Sequence, residues 1–322
     1  VSSPIAETDD PSTAESEPAR RWTRIVPGAL LVLVVVVIAV RTWSALVAND
    51  PAYPVTLLAA SAGGLWLLAT GLRRRPPPPP GRGRTALRVL AAAGGAGIAA
   101  LLFWVEPFVA TPAALEALDA SAGITGTDSR SATVYEPASD PLAGLVLYGG
   151  ARVDPRAYAV LASQIAAQGY RVVVVKCPYD LQLLCPDAAA EHVDDSIPWA
   201  VGGHSLGGVA AASYADAHPE VDGLVLWASF PTSDISGRAQ LAASSISGSA
   251  DGLSTPEKID ERAGLLPAGT EFVQIPGAIH SFFGDYGLQP GDGTPTISRE
   301  AAQAQIVAST VALLERISDP SV

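Results

Sequence analysis

The hexapeptide Gly203-His204-Ser205-Leu206-Gly207-Gly208 is where this sequence offers chemistry. The apolar run Trp199-Ala200-Val201-Gly202 precedes it, and the helix-forming stretch Val209-Ala210-Ala211-Ala212-Ser213-Tyr214 follows. A serine on a sharp strand-to-helix turn presents its Oγ at the top of a sheet, as an acyl-transfer nucleophile must, and glycines at Gly203 and Gly207 make room for the turn. Such a serine needs a histidine base and a carboxylate to orient it, in the chain order serine, acid, histidine. The chain has four histidines, and His280 is the one that follows Ser205 in a loop directly after an apolar strand; His218 ends the elbow helix, His204 lies inside the elbow and His192 precedes it. His280 is therefore the expected general base. The acid should close the preceding strand, where Ser247-Gly248-Ser249-Ala250-Asp251-Gly252 offers Asp251, with Asp234 as its competitor one strand earlier. A tetrahedral intermediate also needs backbone amides aimed at its oxyanion. Leu206 supplies one by position, and Tyr148-Gly149-Gly150-Ala151 supplies the second, with Gly150 expected and Ala151 the near alternative.

The elements that must hold these groups alternate short apolar strands with amphipathic helices from about residue 131. Strands are expected at 133–135, 144–148, 170–175, 199–202, 221–227, near 241–247 and at 271–275, with helices at about 155–168, after the elbow, and at about 299–317. The near-continuous Val and Leu runs suit central parallel strands buried on both faces. This pattern predicts an α/β fold with a doubly wound, mostly parallel sheet and functional loops at the carboxyl ends of its strands. Few residues separate Trp227 from Asp251, so no large cap is expected over the site.

The first third of the chain has a different composition. Three uncharged apolar runs, Ile25–Val40, Pro51–Leu72 and Val89–Val105, each approach bilayer-spanning length. Three transmembrane helices at about 25–47, 52–72 and 88–105 are expected, after a disordered cytoplasmic tail at 1–24 and around an Arg/Pro-rich cytoplasmic loop at 73–87. Arginines cluster before the first run and between the second and third, which places those segments in the cytoplasm and everything after Glu106 outside. A linker at 106–130 then leads to a catalytic domain at 131–318. From Glu106 onward 26 acidic residues face 10 basic ones, a net charge of −16 by subtraction, against −12 for the whole chain. That balance excludes a phosphate-binding surface and hence nucleic acid as a partner. Cys177 and Cys185 are the only cysteines, and an oxidising compartment would let them form a disulfide across a loop. No metal site is expected, because no Cys or His stands at ligand spacing, and no cofactor is called for.

Three segments together resemble the α/β-hydrolase superfamily, in its "fold-5" branch of dienelactone hydrolase-like enzymes and small esterases. They are Gly149-Gly150-Ala151-Arg152-Val153-Asp154-Pro155-Arg156-Ala157-Tyr158, the elbow from Gly202 to Gly208, and His280-Ser281-Phe282-Phe283-Gly284-Asp285-Tyr286-Gly287 with Gly291-Asp292-Gly293. The resemblance spans residues 131–316 and implies Ser205, Asp251 and His280 as a triad. It does not extend to the first 130 residues, and the cysteine pair departs from the family's usual loop. The expected protein is a membrane-anchored serine hydrolase cleaving a small-molecule carboxylic ester, thioester or lactone through an acyl-enzyme. The alternatives are a peptidase or acyltransferase with the same triad, and a non-catalytic envelope module on the same fold. Phe230, Leu183, Phe282, Phe283 and Tyr286 are candidates to line an apolar pocket or simply to pack.

Overall fold

A computed structural model describes residues 21–73, 82–120 and 125–319. The tail expected at 1–24 lies almost wholly outside these residues, as does most of the Arg/Pro-rich loop. The chain divides into two compact units, one formed by residues up to Val40 and Thr56–Trp104, the other by Arg41–Val55 with Val105 onward.

The first unit is helical. Helix α1 runs Trp22–Ala48, α2 Ala52–Leu72 and α3 Arg82–Trp104. A helix satisfies its backbone hydrogen bonds within its own segment, which suits aliphatic runs without charge. The helices α1 and α2 approach closely where both carry glycine: a Cβ on Gly28 would lie 2.7 Å from the Gly64 carbonyl oxygen. Among the described residues two helices, α1 and α2, are long and apolar enough to cross a membrane. Of the three spans expected, α1 and α2 meet that length; the apolar part of α3, Val89–Trp104, is shorter than the roughly 20 residues a span usually needs.

The second unit is built on one eight-stranded sheet. Its strands are β1 Thr125–Asp128, β2 Ala132–Tyr135, β3 Gly144–Tyr148, β4 Arg171–Val175, β5 Trp199–His204, β6 Gly223–Trp227, β7 Ala242–Gly248 and β8 Glu271–Ile275. The order across the sheet is β1-β2-β4-β3-β5-β6-β7-β8. The pairs β1/β2 and β2/β4 are antiparallel, and every other pair is parallel. The helices are α4 Pro112–Ala120, α5 Ala159–Ala166, α6 Leu206–Ala217, α7 Pro256–Arg262 and α8 Arg299–Ser318.

Side-chain alternation along the strands divides the core in two. In β3, Leu145 and Leu147 join one cluster with residues of α4, α5 and α8, including Ala114, Leu161, Ile306 and Leu313. Val146 and Tyr148 join the other, with Ala210, Ala211 and Tyr214 of α6. A strand buried on both faces has no polar side to offer water, which is why the runs 144–148 and 171–175 read as unbroken apolar sequence.

The stretch read as a linker, 106–130, contributes α4 and β1, and its Ala110 and Ala114 are buried in the core. Phe108 forms a parallel bridge with Val153. The turn between α1 and α2 belongs to this same unit: Asn49 Nδ2 donates to Asp154 Oδ1 at 3.1 Å, and Lys176 Nζ donates to the Ala48 carbonyl at 3.0 Å. Among the described residues no helix intervenes between Trp227 and Ala242, so the edge above the elbow carries no helical cap there.

Candidate active site

The sheet presents the candidate residues at one edge, each just past the end of a parallel strand. Ser205 follows β5 directly and has φ 53° and ψ −121°, a left-handed backbone conformation that costs a non-glycine residue on the order of 1–3 kcal/mol. The strain is held by hydrogen bonds on both sides. Ser205 N–H donates to the Trp227 carbonyl at 3.0 Å, and Ser229 Oγ donates to the Ser205 carbonyl at 2.6 Å. Space explains the flanking glycines. A Cβ on Gly203 would stand 2.2 Å from the Gly207 carbonyl carbon, and one on Gly207 would stand 2.1 Å from the Gly149 oxygen and 2.2 Å from the Tyr148 oxygen. Helix α6 thus starts hard against the end of β3, where the loop Gly149–Ala151 begins.

Asp251 lies three residues beyond β7 and is 3% exposed. Its Oδ1 accepts the Leu253 and Ser254 amides, both at 2.7 Å, and its Oδ2 meets His280 Nδ1 at 2.8 Å. A carboxylate held this way fixes the imidazole with Nδ1 as donor and Nε2 as the lone-pair nitrogen. His280 opens a short 3-10 turn after β8, and its ring centroid lies 4.7 Å from that of His204, the residue before Ser205. The structure therefore brings Ser205, His280 and Asp251 to one edge. Among the described residues no hydrogen bond joins Ser205 Oγ to His280 Nε2; such contacts commonly tighten only with substrate in place. The competitor Asp234 is exposed and closes a local turn, its Oδ1 accepting from Ser236 N and Oγ.

The amides at the two expected oxyanion positions differ in their bonding. Leu206, the first residue of α6, has no hydrogen bond to its amide among the described residues, as an oxyanion donor requires. Gly150 differs: its N–H donates to Tyr158 Oη at 2.6 Å, because that buried hydroxyl reaches it from eight residues on. The next amide, Ala151's, has no such bond among the described residues. The loop is further held by Arg152 N–H donating to the Asp180 carbonyl at 2.7 Å.

Cys177 and Cys185 are joined by a disulfide with Cα atoms 5.8 Å apart, closing the loop that contains Asp180. Burial, with Asp154 and Asp50 nearby, pushes the Asp180 carboxyl well above the usual range. Of the candidate pocket residues, Phe282, Phe283 and Tyr286 are core, Phe230 packs beneath the Arg262 guanidinium at 5.6 Å, and Leu183 is 54% exposed.

Sequence reasoning missed two residues. Asp292 stitches the acid loop to the base loop: Oδ1 accepts from His280 N at 3.0 Å and Gly252 N at 3.4 Å, and Oδ2 accepts from Ser281 N at 2.8 Å. Tyr158 contacts both Gly150 and His204. Both residues fall inside the segments that carry the family resemblance, which is the only sequence signal that points to them.

The model of the alpha/beta hydrolase family matches residues 144–304, half of the 322-residue chain, and the chain belongs to that family. No curated protein matches the chain. Among solved structures, the esterase domain of a Rhodothermus marinus protein is 15% identical, with a TM-score of 0.44, covering 61% of this chain and 96% of its own. A dienelactone hydrolase-like promiscuous phosphotriesterase from metagenomic libraries is 18% identical, with a TM-score of 0.43, covering 60% of this chain and 96% of its own.

Proposed function

We propose that this protein is a membrane-anchored serine hydrolase that cleaves a small-molecule carboxylic ester, with thioesters and lactones as chemically equivalent substrates. The observation that carries the reading is the buried Asp251–His280 pair, whose imidazole packs against the residue preceding Ser205. His280 Nε2 takes the Ser205 proton as Oγ attacks the acyl carbon. The amides of Leu206 and Ala151 receive the oxyanion, with Ala151 taking the role first expected of Gly150. Collapse of the tetrahedral intermediate breaks the bond to the alcohol, which leaves with the proton from His280. Water, deprotonated by the same histidine, then attacks the acyl-enzyme and restores Ser205.

The anchor is read as three spans with the hydrolase domain outside the cytoplasm. The packing of the α1–α2 turn supports the odd number. Asn49 and Ala48 bond to Asp154 and Lys176 of the hydrolase domain, so that turn and the domain share one side. With α1 and α2 both crossing, the chain reaches that side again only if α3 crosses as well. The arginines before α1 and in the α2–α3 loop mark the opposite side as cytoplasmic. The disulfide suits the outer compartment.

Full-length protein in detergent is expected to hydrolyse p-nitrophenyl butyrate and to lose that activity in Ser205→Ala. Wild-type protein that turns over no short ester, or a Ser205→Ala variant as active as wild type, overturns the reading. Faster transfer to an added alcohol or amine than to water would identify an acyltransferase.

A further inference from the structure

Tyr158 is fully buried, and its hydroxyl stands between two parts of the candidate site. It accepts the Gly150 N–H at 2.6 Å and lies 3.0 Å from His204 Nδ1. A phenol oxygen that already accepts one amide gives its own proton to the remaining partner, so Tyr158 O–H donates to His204 Nδ1 and the His204 proton resides on Nε2. His204 is itself fully buried, in the elbow immediately before Ser205. Its ring lies 4.7 Å from His280 and stacks on Phe283 with an interplanar angle of 11°. The fit is close on the oxyanion side too, since a Cβ on Gly150 would come within 2.8 Å of His204 Nδ1. The start of the Tyr158 segment is also tied to the loop after His280, by Asp285 N–H donating to the Ala157 carbonyl at 2.8 Å.

We propose that Tyr158 is a positioning residue: acting through His204, it locks the oxyanion loop, the nucleophile elbow and the His280 ring in one mutual arrangement. The inference rests on the reading of Ser205, His280 and Asp251 given above. Two consequences follow for the chemistry. With the Gly150 amide tied to Tyr158, the next amide, that of Ala151, is the one left for the oxyanion. With its Nδ1 accepting a hydrogen bond, His204 stays an uncharged ring beside His280, which must itself become an imidazolium during acyl transfer. Burial and the neighbouring His280 both hold His204 well below the usual histidine range, in keeping with that neutral state.

The test compares Tyr158→Phe, His204→Phe and His204→Asn in the full-length protein on a short p-nitrophenyl ester. Loss of one hydrogen bond in the chain is expected to lower kcat by about tenfold while KM stays within about twofold, in both Phe variants. His204→Asn, whose Oδ1 stands where Nδ1 accepted from Tyr158, is expected to recover most of kcat. The inference is overturned if His204→Phe, which keeps an aromatic ring against His280, matches wild type. It is equally overturned if Asn rescues nothing, or if Tyr158→Phe lowers only the melting temperature. Should Tyr158→Phe fail to fold, the two His204 variants decide the matter alone. Wild-type protein without any ester turnover overturns the underlying reading of the site, and this inference with it.

Discussion

Breaking the Cys177–Cys185 bridge should destabilise the hydrolase domain by an amount that loop closure sets. The cysteines are eight positions apart. The chain-entropy relation for a closed loop of that size gives a loss of about 2.5 kcal/mol at 25 °C when the cross-link is removed. For a domain of roughly 150–250 residues, each kcal/mol is worth about 2–4 °C, so the melting temperature should fall by roughly 5–10 °C. The perturbation is the double variant Cys177→Ser/Cys185→Ser, and the assay is thermal unfolding of the full-length protein with and without a thiol reductant. Wild type should lose its extra stability on reduction, and the double variant should be indifferent to reductant. The loop also accepts the Arg152 amide through the Asp180 carbonyl, so esterase activity should fall along with stability. A double variant that melts with wild type, with no effect of reductant on either, refutes the reasoning.

Other perturbations act on single contacts. Gly207→Ala puts a Cβ 2.1 Å from the Gly149 oxygen, so it should abolish ester turnover and cost at least about 1–3 kcal/mol of stability, read from a denaturant midpoint. Asp251→Asn leaves Oδ1 to accept the Leu253 and Ser254 amides but removes the carboxylate from His280 Nδ1, so kcat should drop by on the order of 10³–10⁴ with the fold retained by circular dichroism. Asp180 offers a pH test. Its carboxyl is pushed up in the folded state, so folding binds the proton more tightly and is favoured most below about pH 4, the ordinary aspartate range. That contribution is lost as pH rises through the raised value. Asp180→Asn should therefore gain melting temperature relative to wild type as pH rises from 4 to 8, on the order of a few degrees; a difference that stays flat or reverses contradicts the assignment.

Much of the fold was legible because its signals are local. The runs at 144–148 and 171–175 are apolar at every position or nearly so, which only a strand covered on both faces permits. What stayed hidden has no local signature. Strand β1, Thr-Gly-Thr-Asp, has neither alternation nor an apolar run, and it exists because β2 leaves an edge for it to pair with. Helix α4 is nine residues long and is anchored by Ala114 packing into a core made elsewhere in the chain. The site shows the same division. Ser205, Asp251 and His280 follow from motif, order and strand ends, and the structure gathers them at one edge. That the Tyr158 hydroxyl takes up the Gly150 amide depends instead on a tertiary distance that no spacing encodes. Likewise, Lys176 is almost wholly buried because the Ala48 carbonyl, 128 residues earlier, and Asp128 receive its ammonium.

The central claim is that Ser205 is a nucleophile activated by His280 and Asp251, and the most direct test is covalent capture. Full-length protein treated with a fluorophosphonate, digested and analysed by mass spectrometry should carry one phosphonyl group on the peptide containing Ser205, formed slowly or not at all in His280→Ala. An adduct on another residue, or undiminished labelling of the Ser205→Ala variant, would contradict the account.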